Sequence, residues 1–120
     1  MPRTVWWPLL GMAVALVGAT GCKRSQAMEE TPSARGRELF RNVCSRCHGA
    51  EGTGGLAIYP GAPTPRNFHD HAFQSSHTDE QIKQTIINGK PPGMPPFGTM
   101  FDDKDLAAII KYVRSLDPGH

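Results

Sequence analysis

Cys44-Ser45-Arg46-Cys47-His48 sets two thiols one helical turn apart and follows the second at once with an imidazole. A chain carrying these five residues must fold around whatever the three side chains grip. Sulfurs at this spacing suit thioether bonds to the two vinyl groups on one porphyrin edge, and the next imidazole can reach the iron from the proximal side. That makes the run the attachment sequence of a c-type haem. The rival readings need more than the chain contains. A thioredoxin-like redox pair belongs beside a strand-helix-strand pattern, and a structural zinc needs a second ligand pair. Neither is found, and the third cysteine, Cys22, lies far upstream.

The start of the chain bears on the compartment. Arg3 gives a short basic beginning, Val5 to Ala19 is apolar apart from Pro8, and Ala19-Thr20-Gly21 puts small residues before Cys22. This pattern is that of a secretory signal. Its 15 residues fall short of the roughly 20 that a membrane-crossing helix needs. The run into Cys22 resembles a bacterial lipoprotein cleavage site, with Ala19 where leucine is usual. The resemblance implies that residues 1–21 are removed and that lipid on Cys22 anchors the protein at the periplasmic side of a bacterial membrane. Ordinary cleavage nearby, giving a soluble periplasmic protein with an incidental Cys22, is the alternative. Lipidation would leave no free thiol in an oxidising compartment.

Residues 22–33 are polar and read as a flexible tether, leaving residues 34–117 for one small domain. Under 90 residues can build only a thin core, and a covalently held haem would add a large apolar body to it. The formal net charge of +2 includes Arg3 and gives no reason to expect nucleic acid as a partner. Arg35, Arg37, Arg41 and Arg46 gather before and within the haem motif, while Asp102, Asp103 and Asp105 cluster late.

Three helices are predicted and no strand, so the fold class is all-α. The first runs from about Ser33 into the haem motif, with Leu39, Val43 and Cys47 on one stripe and Phe40 and Cys44 on the next. The second starts from a capping box, Thr78-Asp79-Glu80-Gln81, carries Ile82, Ile86 and Ile87, and stops at Gly89. The third begins at Asp102 or Asp103 and buries Leu106, Ile109, Ile110 and Val113. Between the first two, Gly49 to His77 is rich in glycine and proline and is expected to stay irregular, packing against the haem.

Gly36-x-x-x-Phe40 before the haem motif, a glycine-rich run after it, a late Met94-Pro95 and a terminal Ile109-x-x-Tyr112 resemble the class I c-type cytochromes of bacteria. The resemblance implies a small cytochrome c fold, three main helices and long loops around one covalent haem, in which Gly36 and Phe40 fit against Ile109 and Tyr112. It also implies a loop carbonyl beside Pro60, Pro63 or Pro65 that orients His48. Met94 becomes the expected sixth ligand, in Pro91-Pro92-Gly93-Met94-Pro95-Pro96-Phe97, where prolines are expected to hold the backbone extended. Met100 competes, but it precedes a helix start, where an apolar residue staples the helix to the core. His69, His71 and His77 are held in reserve as ligands, a strand-like His69-Asp70-His71 being able to bring two rings to one side. Arg66, Asn67 or Tyr59 could reach a propionate.

The expected function is a monohaem, membrane-tethered electron carrier cycling between ferrous and ferric iron with His48 and Met94 as axial ligands, not an enzyme by itself. Its partners would be an oxidase, reductase or dehydrogenase. The alternatives are a haem subunit of a larger oxidoreductase and a gas sensor with a labile methionine.

Overall fold

The computed structural model describes Met1 and residues 31–119; Cys22, the apolar run before it and the tether as far as residue 30 lie outside the described residues. All regular structure among the described residues is helical. Thr31 opens it. The Thr31 hydroxyl accepts from the Ala34 N–H, and Pro32 takes the first helical position, where its missing N–H costs nothing. Helix α1 (Pro32–Leu39) therefore begins inside the expected tether, whose residues 32 and 33 are helical.

The chain continues through a wide π-helical turn, Phe40–Cys44, into α2 (Ser45–His48). In this turn the Ser45 N–H donates to the Phe40 carbonyl instead of the Arg41 carbonyl. The Ser45 hydroxyl takes up the carbonyl thus released, at 2.5 Å from Arg41 O. The widening runs into Cys44, the first residue of the cysteine motif, and turns of this kind are frequent at functional sites.

The long stretch expected to be irregular contains a helix, α3 (His71–Ser76). Asp70 is its N-cap and accepts from the Ala72 and Phe73 N–H groups. Helix α4 (Asp79–Asn88) has the expected capping box from Thr78 and Gln81 and ends at Gly89, whose φ of 71° suits glycine. Helix α5 (Asp103–Ser115) is capped by Asp102. Phe101 before it is buried, whereas Met100 is exposed, so Phe101 alone staples this helix to the core.

The core forms where α1 meets α5. A Cβ on Gly36 would overlap the Ala108 carbonyl, so only glycine allows the two backbones this close. Phe40 and Ile109 are fully buried beside the contact, and the Phe40 and Tyr112 rings lie 5.2 Å apart. Arg35 Nε reaches Asp105 Oδ1 at 3.1 Å, which joins the early basic cluster to the late acidic one. Lys83 Nζ and Asp103 Oδ1, 2.8 Å apart, link α4 to α5. A surface groove runs between these helices, and Ser33 of α1 lines it together with Lys111 and Ser115.

Candidate haem site

Cys44, Cys47, His48 and Met94 line one cavity of about 320 Å³. Its other walls are largely apolar, with Phe40, Val43, Ile82, Ile86, Phe97 and Ile109 among them. Both thiols are unpaired, and burial, with Cys47 nearby, pushes the Cys44 thiol up to about 11. The sulfur stays protonated at neutral pH, as an apolar wall demands.

The position of His48 is fixed from several sides. Its Nδ1–H donates to the Arg66 carbonyl at 3.0 Å. Arg66 follows Pro65, so the orienting carbonyl lies beside the last of the three candidate prolines. Burial lowers the imidazole pKa and the Arg66 bond partly opposes it, leaving a neutral ring. Nε2 makes no hydrogen bond among the described residues and keeps its lone pair for a metal. The ring stacks on Phe68, centroids 4.6 Å apart and planes 25° apart. The Gly54 N–H binds the His48 carbonyl at 2.8 Å, and Gly55 lies so close to the Cys47 carbonyl that no side chain would fit.

Met94 is half-buried and packs against the core. Its segment is not extended as expected. Lys90 and Met94 exchange two backbone bonds, 2.8 and 3.0 Å, closing the Pro91-Pro92-Gly93 run into a small loop. The prolines lack donors, so the strap takes its bonds from the residues on either side of them. Phe97 and Gly98 then bind the last carbonyls of α4 at Ile86 and Ile87, 2.9 and 3.1 Å away. A Cβ on Gly89 would stand 2.6 Å from the Met94 carbonyl.

The reserve histidines are not brought together. His69 Nε2 binds the Glu51 carbonyl at 2.8 Å, and His71 Nδ1 binds Asp117 at 2.9 Å, because Asp70 caps α3 instead of lying in a strand. His77 contributes to the cavity wall, with its ring tilted against Phe73. Asn67 Oδ1 is occupied by the His69 N–H, and Arg66 covers the Phe73 ring at 5.2 Å while facing Asp70. Tyr59 is exposed.

Two contributors escape the sequence. Phe68, the only large apolar residue between Tyr59 and Phe73, could have been picked as a ring covering the haem motif. Gln74 gives no such signal, yet it is 5% exposed. Its amide donates to the Phe68 and Val113 carbonyls at 2.7 and 2.9 Å, and its oxygen accepts from Arg114 at 2.9 Å. It ties the loop behind His48 to α5. Two thiols, one neutral imidazole and one thioether around an apolar cavity are the donor set a c-type haem requires, so the residues fit the group.

Comparison with known proteins agrees with this geometry. The chain is 36% identical over 95 residues to the cbb3-type cytochrome c oxidase subunit CcoP of Rubrivivax gelatinosus, covering 77% of this chain and 29% of that protein. It thus spans under a third of that subunit's length. It is 32% identical to cytochrome c6 of Euglena viridis over 70% of this chain and 92% of that protein. The solved structure of the KustC0563 c-type cytochrome superposes with a TM-score of 0.60 at 30% identity, covering 68% of this chain and 96% of that one. Residues 31–113 match the family described as cytochrome c oxidase, cbb3-type, subunit III. With the small all-α fold built around the Cys44–His48 motif, these matches establish that the chain belongs to this family of c-type cytochromes.

Proposed function

We propose that this protein carries single electrons between larger redox proteins, holding one haem c through Cys44 and Cys47 with His48 and Met94 as axial ligands. The supporting observation is that these four side chains, from two distant stretches of sequence, line the same apolar cavity. A haem c bound there supplies one-electron exchange at iron, and a thioether opposite an imidazole favours the reduced state more than two imidazoles do. The chain's own residues do the rest. Arg66 and Phe68 hold the His48 ring in one orientation, and the Lys90–Met94 loop presents the thioether. The largely apolar wall would lower the polarity around a haem bound there.

Protein matured in a host competent for cytochrome c assembly should keep haem stain on the chain through denaturing electrophoresis. Loss of all haem into acid acetone would rule out the thioethers. The reading extends to a periplasmic location with lipid on Cys22, supported by Arg3, the apolar run and the small residues before the cysteine. Mass spectrometry of membrane-extracted protein should then find a chain starting at Cys22 with added acyl mass. One acyl chain binds membranes only marginally, so two or three are expected. An unmodified chain free in the periplasm contradicts the anchor. No helix among the described residues is long and apolar enough to cross a membrane.

A second reading is favoured by the match to CcoP, a subunit much longer than the matched stretch. In it the haem unit keeps a fixed place in an oxidase. Co-purification with an oxidase after gentle extraction supports this reading, and recovery alone supports the free carrier.

A further inference from the structure

His48 is held by two residues that lie two positions apart: the Arg66 carbonyl takes its Nδ1–H, and the Phe68 ring lies on its face. Both are in turn gripped by side chains of the α3 segment. The Gln74 amide in α3 has one possible setting. Its two N–H groups donate to the Phe68 and Val113 carbonyls at 2.7 and 2.9 Å, and its oxygen accepts from Arg114 at 2.9 Å. Turned over, the same amide would set its oxygen against two carbonyls. Gln74 gives the Phe68 carbonyl its only hydrogen bond among the described residues, while the Phe68 N–H donates to the Gly52 carbonyl at 2.8 Å. Phe68 is thus fixed on one side by the loop after the cysteine motif and on the other by α3.

At the start of α3, Asp70 divides its two oxygens. Oδ1 accepts from the Ala72 and Phe73 N–H groups and caps the helix. Oδ2 faces Arg66 Nη1 at 3.7 Å. The Arg66 guanidinium also covers the Phe73 ring at 5.2 Å, and that ring lies 5.8 Å from Phe68. Helix α3 is itself fastened to α5, because Arg114 donates to the Gln74 and His77 carbonyls at 2.7 and 2.6 Å. Neither Asp70 nor Gln74 is among the residues that line the cavity. Whatever they do at the iron must pass through Arg66 and Phe68.

We propose that Asp70 and Gln74 are positioning residues for the proximal ligand, Asp70 acting through the Arg66 carbonyl on the His48 Nδ1–H and Gln74 acting through the Phe68 ring on the plane of the imidazole. The assignment deepens the proposed function and rests on His48 as an axial ligand. A carbonyl held in place keeps the imidazole oriented and basic toward the metal. A carbonyl free to recede gives up part of that basicity, which favours ferrous over ferric iron. A half-exposed ion pair adds little to stability, so the effect of Asp70 belongs at His48 and not in the unfolding curve.

The test uses the haem-loaded protein and reads the ligand directly. The spread of the haem methyl resonances in the oxidised protein follows the planes of the axial ligands, exchange of the His48 Nδ1–H follows its hydrogen bond, and the midpoint potential follows both. Gln74→Met keeps the length of the side chain and has no N–H to give, so it should alter the methyl spread and move the potential. Asp70→Asn keeps an Oδ1 for the cap but turns an amide toward the guanidinium in place of a carboxylate oxygen. It should speed exchange of the ring N–H severalfold at low salt and less at high salt, and raise the potential, with the unfolding midpoint near wild type. Ser75→Ala removes bonds to the His71 and Ala72 carbonyls within α3 and should change none of these readouts. Wild-type values for both Gln74→Met and Asp70→Asn, whatever their stability, overturn the assignment, as does Ser75→Ala moving the readouts as far. If Gln74→Met does not fold, Asp70→Asn decides alone. Wild-type protein whose His48 ring resonances show no displacement by the iron would instead remove the ligand reading beneath the proposal.

Discussion

Two methionines six residues apart have opposite surroundings, since Met94 lies against the core and Met100 in solvent. Met94→Ala should abolish the weak long-wavelength absorption of an iron–thioether bond in the oxidised protein and lower the potential, while Met100→Ala should do neither. Loss of the band in the Met100 variant alone would reverse the assignment. Gly89→Ala should act on the same band from a distance. Its φ of 71° and the 2.6 Å approach to the Met94 carbonyl leave no room for a methyl, so the loop must shift. Spectral titration of both variants checks this. At this scale the cysteine motif was legible because its chemistry demands fixed residue types at fixed spacing. The closure of the Met94 strap was not, because two backbone bonds between Lys90 and Met94 leave no trace in side-chain identity.

Helices announce themselves by their ends, and α4 and α5 did so through Thr78, Gly89 and Asp102. Helix α3 has an equally good cap in Asp70, but six residues in a glycine- and proline-rich stretch show too little periodicity to stand out. The π-helical turn was hidden for another reason: a bond displaced by one residue changes no pattern of apolar side chains. Gly36→Ala should separate α1 from α5 and cost about 2 kcal/mol in chemical denaturation. The Lys83–Asp103 pair between α4 and α5 gives a pH signature. Lys83 holds the Asp103 carboxyl below its ordinary 3.8, so that contribution is present above 3.8 and lost as pH falls through the lowered value. Asp103 raises Lys83 above its ordinary 10.5, so that contribution is present below 10.5 and lost as pH rises through the raised value. Asp103→Asn should therefore produce a small, salt-sensitive loss that is flat from about pH 5 to 9 and vanishes in strong acid. Denaturation midpoints across that range measure it.

Across the whole molecule, Gln74 connects what the helices leave apart. Removing its amide takes the donor from the Phe68 carbonyl, leaves the Val113 carbonyl only the Leu116 N–H, and takes one of four acceptors from Arg114, so Gln74→Ala should cost about 2 kcal/mol by guanidinium unfolding. Phe68 lies on the His48 ring, so the same variant should also move the potential. Glutamine is ordinarily a surface residue, and only the assembled fold shows that this one is internal. The groove shared by Ser33 and Ser115 carries a different implication. The first turn of α1 and the last turn of α5 line it together, on helices locked at Gly36 and Ala108. Loosening one helix of this pair therefore exposes the buried face of the other, so the two should open as one cooperative unit in hydrogen exchange.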